Sequence, residues 1–136
     1  GERNAPVMGK RLKEREISPD LLISSSAVRA HQTAMTFIRE LGLPKKAIAW
    51  EDDLYLADCS TIIKLIHKTD SHVNNLILFG HNPGFTDTVN YLCECGIDNV
   101  PTCGVVSILF QNQEWPDLKG ECGHLEFFDY PKDPYQ

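Results

Sequence analysis

The sequence has no apolar run approaching the roughly 18 residues that a membrane-spanning helix needs, and no charged-then-apolar leader opens it. A soluble, cytoplasmic chain without a membrane contact is the expectation. It also has no surplus of positive charge: 13 Lys and Arg stand against 19 Asp and Glu, for a net charge of −6. Such a balance repels nucleic acids and anionic lipid surfaces alike, so any anion bound must be met by a local pocket. Internal repeats, linkers and low-complexity tracts are missing too, and residues 1–136 read as a single domain. Five cysteines (Cys59, Cys93, Cys95, Cys103 and Cys122) are odd in number and scattered through a chain with ample core. They fit reduced thiols better than a disulfide framework. A zinc reading of Cys93-x-Cys95, Cys103 and Cys122-x-His124 meets poor spacing, since one-residue gaps are unusual for ligands and residues 93 and 95 fall on different faces of a helix.

What the sequence does have is a sharp transition between residues 75 and 85. The apolar run Leu76-Ile77-Leu78-Phe79 stops at Gly80-His81-Asn82-Pro83-Gly84. Four apolar residues closed by turn formers predict a strand covered on both faces, with His81 at its carboxyl end. That edge is where open α/β sheets bind ligands. Gly80 lets the backbone approach a ligand, and Pro83-Gly84 leads into a helix carrying Phe85, Val89 and Leu92. A purely structural His81 is the alternative.

Around this centre the chain alternates. Ala5, Met8 and Leu12 predict a first helix over residues 2–16, and Leu21-Leu22-Ile23 a short buried strand. Ala30, Ala34, Phe37, Ile38 and Leu41 mark a helix over residues 27–41, stopped by Gly42 and Pro44. Ile48-Ala49-Trp50 predicts a strand, Ser60 a helix cap, Val105 to Phe110 a strand, and Leu125 to Phe128 a last strand before a polar tail containing Pro131. Strands alternating with helices imply an α/β fold in which a mainly parallel sheet is sandwiched between helices.

A second strand end carries chemistry. Ser24-Ser25-Ser26-Ala27-Val28-Arg29 puts hydroxyls at a helix start and an arginine in its first turn, where free N–H groups and the dipole favour an anion. A guanidinium fork matches phosphate oxygens, and a cation there is otherwise mildly unfavourable to the helix. The alternative is a solvated surface charge.

The string Ser24-Ser25-Ser26-Ala27-Val28-Arg29-Ala30-His31-Gln32-Thr33-Ala34, followed at this separation by Gly80-His81-Asn82-Pro83-Gly84, resembles the histidine phosphatase superfamily, and within it the SixA-type phosphohistidine phosphatases. Leu54-Tyr55-x-Ala57, Pro101-Thr102-x-Gly104 and the stretch from Trp115 to Leu125 are similar to that subgroup as well. The resemblance implies a phosphoglycerate-mutase-like, three-layer α/β/α sandwich and a covalent, metal- and cofactor-free mechanism. A histidine on the family's first strand attacks the phosphoryl group, and Arg29 and His81 bind its oxygens. Ser24 and Ser25 are expected to orient this phosphate site, not to attack. Where an acid-phosphatase branch has an aspartate proton donor, this chain has Asn82, which suits a phosphorylated imidazole as leaving group. Glu51, in the acidic turn Glu51-Asp52-Asp53, is a candidate acid beside the simpler reading of a solvated turn.

No Arg-His string of the family's nucleophile strand occurs in the 136 residues. None of His31, His67, His72 and His124 stands in its place, so an N-terminally incomplete domain is expected. Leu21–Ile23 and Leu76–Phe79 would then both border the missing strand, leaving this chain alone unstable and inactive. Three readings follow: a phosphatase acting on a phosphorelay protein, a small-molecule phosphatase of the same superfamily, and a non-catalytic phospho-ligand binder.

Overall fold

Apolar residues at helical spacing build the first layer. A computed structural model describes residues 3–131, in which helix α1 spans Asn4–Glu14 and buries Ala5, Met8 and Leu12 on one face. Pro6 falls in its first turn, where a missing N–H breaks no helical hydrogen bond. Strand β1 (Leu21–Ser24) leads to α2 (Val28–Leu41), which buries Ala30, Ala34, Phe37 and Ile38 and ends on Gly42 at φ 70°. Then follow β2 (Ile48–Trp50), α3 (Cys59–His67), β3 (Leu76–Phe79), α4 (Gly84–Cys93), β4 (Val105–Leu109) and β5 (His124–Asp129). The cap of α3 is not Ser60 but Asp58, whose carboxylate accepts the Thr61 N–H at 2.9 Å. That hydrogen bond holds the Asp58 carboxyl below its ordinary range. Among the described residues no helix is long and apolar enough to cross a membrane. Most of the polar tail, from residue 132 on, lies outside the described residues.

Strand β1 is the centre of a parallel three-stranded sheet in the order β2-β1-β3, with Ser24 level with Trp50 on one side and Phe79 on the other. Strands β4 and β5 form a separate antiparallel pair. Side-chain packing joins the two sheets. On one face Leu22, Ile48 and Phe79 meet α1, α2, Val105 and Phe127; on the other Ile23, Leu76 and Leu78 meet α3, Leu92 of α4, Ile108 and Phe110. Helices therefore cover both sides, giving the α/β/α sandwich.

Two expectations about the strands are corrected. Leu21–Ile23 does not border an open gap, because β1 is paired on both edges. Among the described residues the edges without a strand partner are the outer ones of β2 and β3 and one each of β4 and β5. Nor is β3 fully covered: Leu76, Ile77 and Leu78 are half-buried and only Phe79 is buried. A strand without a neighbour on one edge leaves the flanks of its side chains within reach of water. Strand β4, half-buried up to Ile108, shows the same effect.

The turn from β3 into α4 is pinned from outside. Asn82 Oδ1 accepts from Thr86 N–H at 3.1 Å and Thr86 Oγ1 at 2.8 Å, serving the first turn of α4 as a cap would. Its Nδ2 donates to the Val100 carbonyl at 2.7 Å and to Asn99 Oδ1 at 3.2 Å. Gly84 then passes so close to α3's lead-in that a Cβ would stand 1.9 Å from the Ala57 carbonyl oxygen.

Gly84→Ala should therefore destabilise by about 2 kcal/mol, although Gly to Ala in an unobstructed helix stabilises by roughly 1 kcal/mol. Urea unfolding reads the sign, and a more stable variant would show that the close approach is absent. Asn82→Ala should cost about 1 kcal/mol, the value of a lost cap, and should raise amide exchange at residues 97–100 along with α4's first turn. Exchange confined to α4 would mean that the Val100 contact holds nothing.

Candidate active site

The parallel pairing of β1 with β3 brings two strand ends to one level, and the chains leave it side by side: the Ser25 N–H donates to the Phe79 carbonyl at 3.0 Å. Ser25 is fully buried. Its Oγ accepts the Ala27 N–H at 3.2 Å and lies 3.0 Å from His81 Nε2. Whichever of the two carries the shared proton, the contact fixes the direction of the imidazole. Ser24, also fully buried, donates its Oγ proton to the Ser25 carbonyl at 2.9 Å. Both hydroxyls are thus occupied inside the fold.

His81 itself is half-buried, and the ring of Tyr55 meets it edge to face, with centroids 5.5 Å apart at 83°. Next to it, Ser26, Ala27, Asp52 and Tyr55 line a cavity of ≈ 440 Å³. The start of α2 opens on this corner. Ala27 precedes the helix with no side-chain cap, and the first helical hydrogen bond is His31 N–H to the Ala27 carbonyl. The N–H groups of residues 28–30 are left for a ligand. Arg29 lies in this first turn, exposed, and its side chain has no hydrogen bond or salt bridge among the described residues.

Of the sequence-predicted site residues, Ser25 and His81 are thus in contact, Ser24 lies directly behind them, and Arg29 stands at the adjoining helix start without bonding to His81. Glu51 sits at the end of β2, its N–H on the Ser24 carbonyl at 2.8 Å, but its carboxylate accepts the Asp53 N–H at 3.3 Å and so closes a turn. The acid that reaches the cavity is Asp52, hydrogen-bonded to Ser26 Oγ. Sequence reasoning weighed Asp52 only as one of the three acids of that turn, with Glu51 as the named candidate, and it missed Tyr55 as a site residue. Their only linear signal was membership of the acidic triplet and of the Leu54-Tyr55 string. It also missed the His31–Trp50 stack, centroids 4.5 Å apart at 10°, which joins α2 to the end of β2. A second cavity of ≈ 400 Å³, lined in part by Asp98, Asn99, Pro101 and Tyr130, contains none of these residues. Among the described residues no three His, Cys, Asp or Glu side chains gather as metal ligands.

No family model matches the chain. An uncharacterized protein of Mycobacterium tuberculosis, found in two strains, is 26 % identical over 142 residues, which cover 97 % of this chain and 86 % of that protein. Among solved structures, one assigned as the phosphohistidine phosphatase SixA of Agrobacterium tumefaciens superposes with a TM-score of 0.79 at 25 % identity, covering 97 % of this chain and 80 % of that one. A second, assigned as SixA of Nakamurella multipartitia, superposes at 0.82 with 18 % identity, covering 96 % and 81 %. Over nearly its whole described length, and with Ser25 and His81 meeting where the two strand ends do, the chain is similar in fold to the SixA-type histidine phosphatases.

Proposed function

We propose that the protein is a phosphatase that removes the phosphoryl group from phosphohistidine on a cytoplasmic phosphorelay protein, by way of a phosphohistidine formed on the enzyme. The observation that carries this reading is His81, held by buried Ser25 at the carboxyl edge of the sheet beside the uncapped, arginine-bearing start of α2. A phosphoryl group seated on the N–H groups of residues 28–30 has the Arg29 guanidinium and the His81 imidazole available for its equatorial oxygens, which carry the charge in the transition state.

The attacking histidine is assigned to a further strand, one that would pair with the open edge of β3. The histidines described are otherwise occupied or remote: His67 Nε2 bonds the Leu118 carbonyl at 2.7 Å, His72 pairs with Asp70, His31 stacks on Trp50, and His124 opens β5. Attack forms the enzyme's N–P bond as the substrate's N–P bond breaks, and water then cleaves the new bond to release inorganic phosphate. Asn82 has its side chain committed to Thr86 and Val100, so it lends no proton. A phosphorylated imidazole needs none from that position, since its ring is protonated from solvent. A protein substrate fits the rim, where Val28, Tyr55 and Leu56 are 72 %, 58 % and 70 % exposed.

The first check is whether the gene encodes an Arg-His string before Gly1; a gene without one leaves the reading of a non-catalytic phospho-ligand binder. With the full gene product, phosphate release from a phosphohistidine protein should fall about 10²- to 10³-fold in kcat/KM for Arg29→Ala and for His81→Ala, and less than about tenfold for Ser25→Ala. Undiminished turnover in both of the first two variants would overturn the reading. Glu51→Gln should leave phosphohistidine hydrolysis unchanged, because its carboxylate serves a turn. A loss confined to an alkyl phosphate substrate would instead make Glu51 a proton donor and favour the small-molecule phosphatase.

A further inference from the structure

Helix α4 ends at Cys93, and the next residue, Glu94, adopts φ 47° and ψ 41°. This left-handed region costs a residue with a Cβ roughly 1–2 kcal/mol. What it achieves is a return of the chain over the last helical turn. Residues 93 and 95 of a continuous helix would point in different directions, as their spacing predicts; here Cys93 Sγ and Cys95 Sγ lie 2.7 Å apart. The return is clamped from within the helix. Asn90 Oδ1 accepts the Ile97 N–H at 2.9 Å, and Asn90 Nδ2 donates to the Ile97 carbonyl at 2.7 Å. The thiols are therefore placed by backbone conformation and by an amide side chain, and both are half-buried free cysteines.

We propose that Cys93 and Cys95 are a dithiol–disulfide couple, a modification site that closes by exchange with a low-molecular-weight disulfide such as oxidised glutathione. The Cys95 thiolate attacks one sulfur of the glutathione disulfide, expels one glutathione thiolate and leaves a mixed disulfide on Cys95. Cys93 then gives up its proton to solvent, attacks Cys95 Sγ and expels the second glutathione. Two protein thiols are oxidised, one glutathione disulfide is reduced to two thiols, and no other reactant is needed. The order of attack follows from the surroundings of Cys93, whose thiol is pushed up to about 12 by burial and by its hydrogen bond to Cys95. Cys93 keeps its proton until the mixed disulfide has been brought against it.

The test equilibrates the full chain in glutathione buffers of graded ratio, quenches with acid, alkylates the remaining thiols and maps the peptides by mass. Cys93 and Cys95 should lose their thiols together as an internal link, with Cys59, Cys103 and Cys122 still alkylated. The closure constant of the folded protein should exceed that of the same chain in urea by about tenfold or more, since only the folded chain holds the sulfurs together. Cys93→Ser should trap glutathione on Cys95, whereas Cys95→Ser should leave Cys93 unmodified. A lasting mixed disulfide in the unaltered protein, a link to any other cysteine, or equal constants in buffer and urea would each overturn the proposal. None of these readouts depends on phosphatase activity.

Discussion

The pairing of β1 with β3 is the constraint on which the site depends. The ladder runs from Leu21 opposite Leu76 to Ser24 opposite Phe79, and Ser25 extends it by one bond to the Phe79 carbonyl. That last bond sets the height at which Ser25 Oγ meets His81. A slip of one residue would turn Leu22 and Ile23 toward the opposite helix layers, so the two cores lock the register that the site needs. Gly80 completes the arrangement: a Cβ there would come within 2.4 Å of the Phe85 ring, which folds back under the turn. The histidine is held by a serine on one side and by a helix anchored through Asn82 and Gly84 on the other.

Packing, not backbone pairing, holds the two sheets in one layer. Phe79 of β3 and Val105 of β4 share one core, and Leu78 and Ile108 share the other, although no ladder joins these strands among the described residues. Open edges on strands as apolar as Leu76–Phe79 and Val105–Leu109 are the feature a folded protein normally covers or blunts with charge or proline. Neither strand carries a charged residue or a proline. The nucleophile strand proposed above would cover the open edge of β3 beside His81.

The parts legible in the sequence were those whose signals are local. The stripe from Ala30 to Ile38 and its stop at Gly42 fix α2 from periodicity and punctuation alone, and the abrupt end of Leu76–Phe79 fixes both β3 and the turn that presents His81. Illegible parts depend on conformations that residue type disfavours or on partners far along the chain. Glu94 in a left-handed conformation brings together two cysteines that helical spacing separates. A short turn over Asp52–Leu54 sends Asp52, and not Glu51, toward Ser26. The strand order β2-β1-β3 leaves β1 paired on both edges, which no reading of its four residues could establish.

For a chain of net charge −6 the proposed anion site raises the question of which charges count. At physiological ionic strength exposed charges more than about 8 Å away are largely screened, so the global excess of acid is a weak opponent and the first few neighbours decide. Those neighbours are three uncapped N–H groups, Arg29, unpaired among the described residues, and one exposed carboxylate on Asp52. A single exposed like charge at 4 Å costs on the order of 1 kcal/mol in water, while a charge-assisted hydrogen bond returns roughly 1.5–3 kcal/mol. Several such donors converge at the start of α2, and the first turn of that helix contains no acid. Local attraction therefore outweighs both Asp52 and the net charge, and the same sum would fail at any helix start in this chain lacking an unpaired cation.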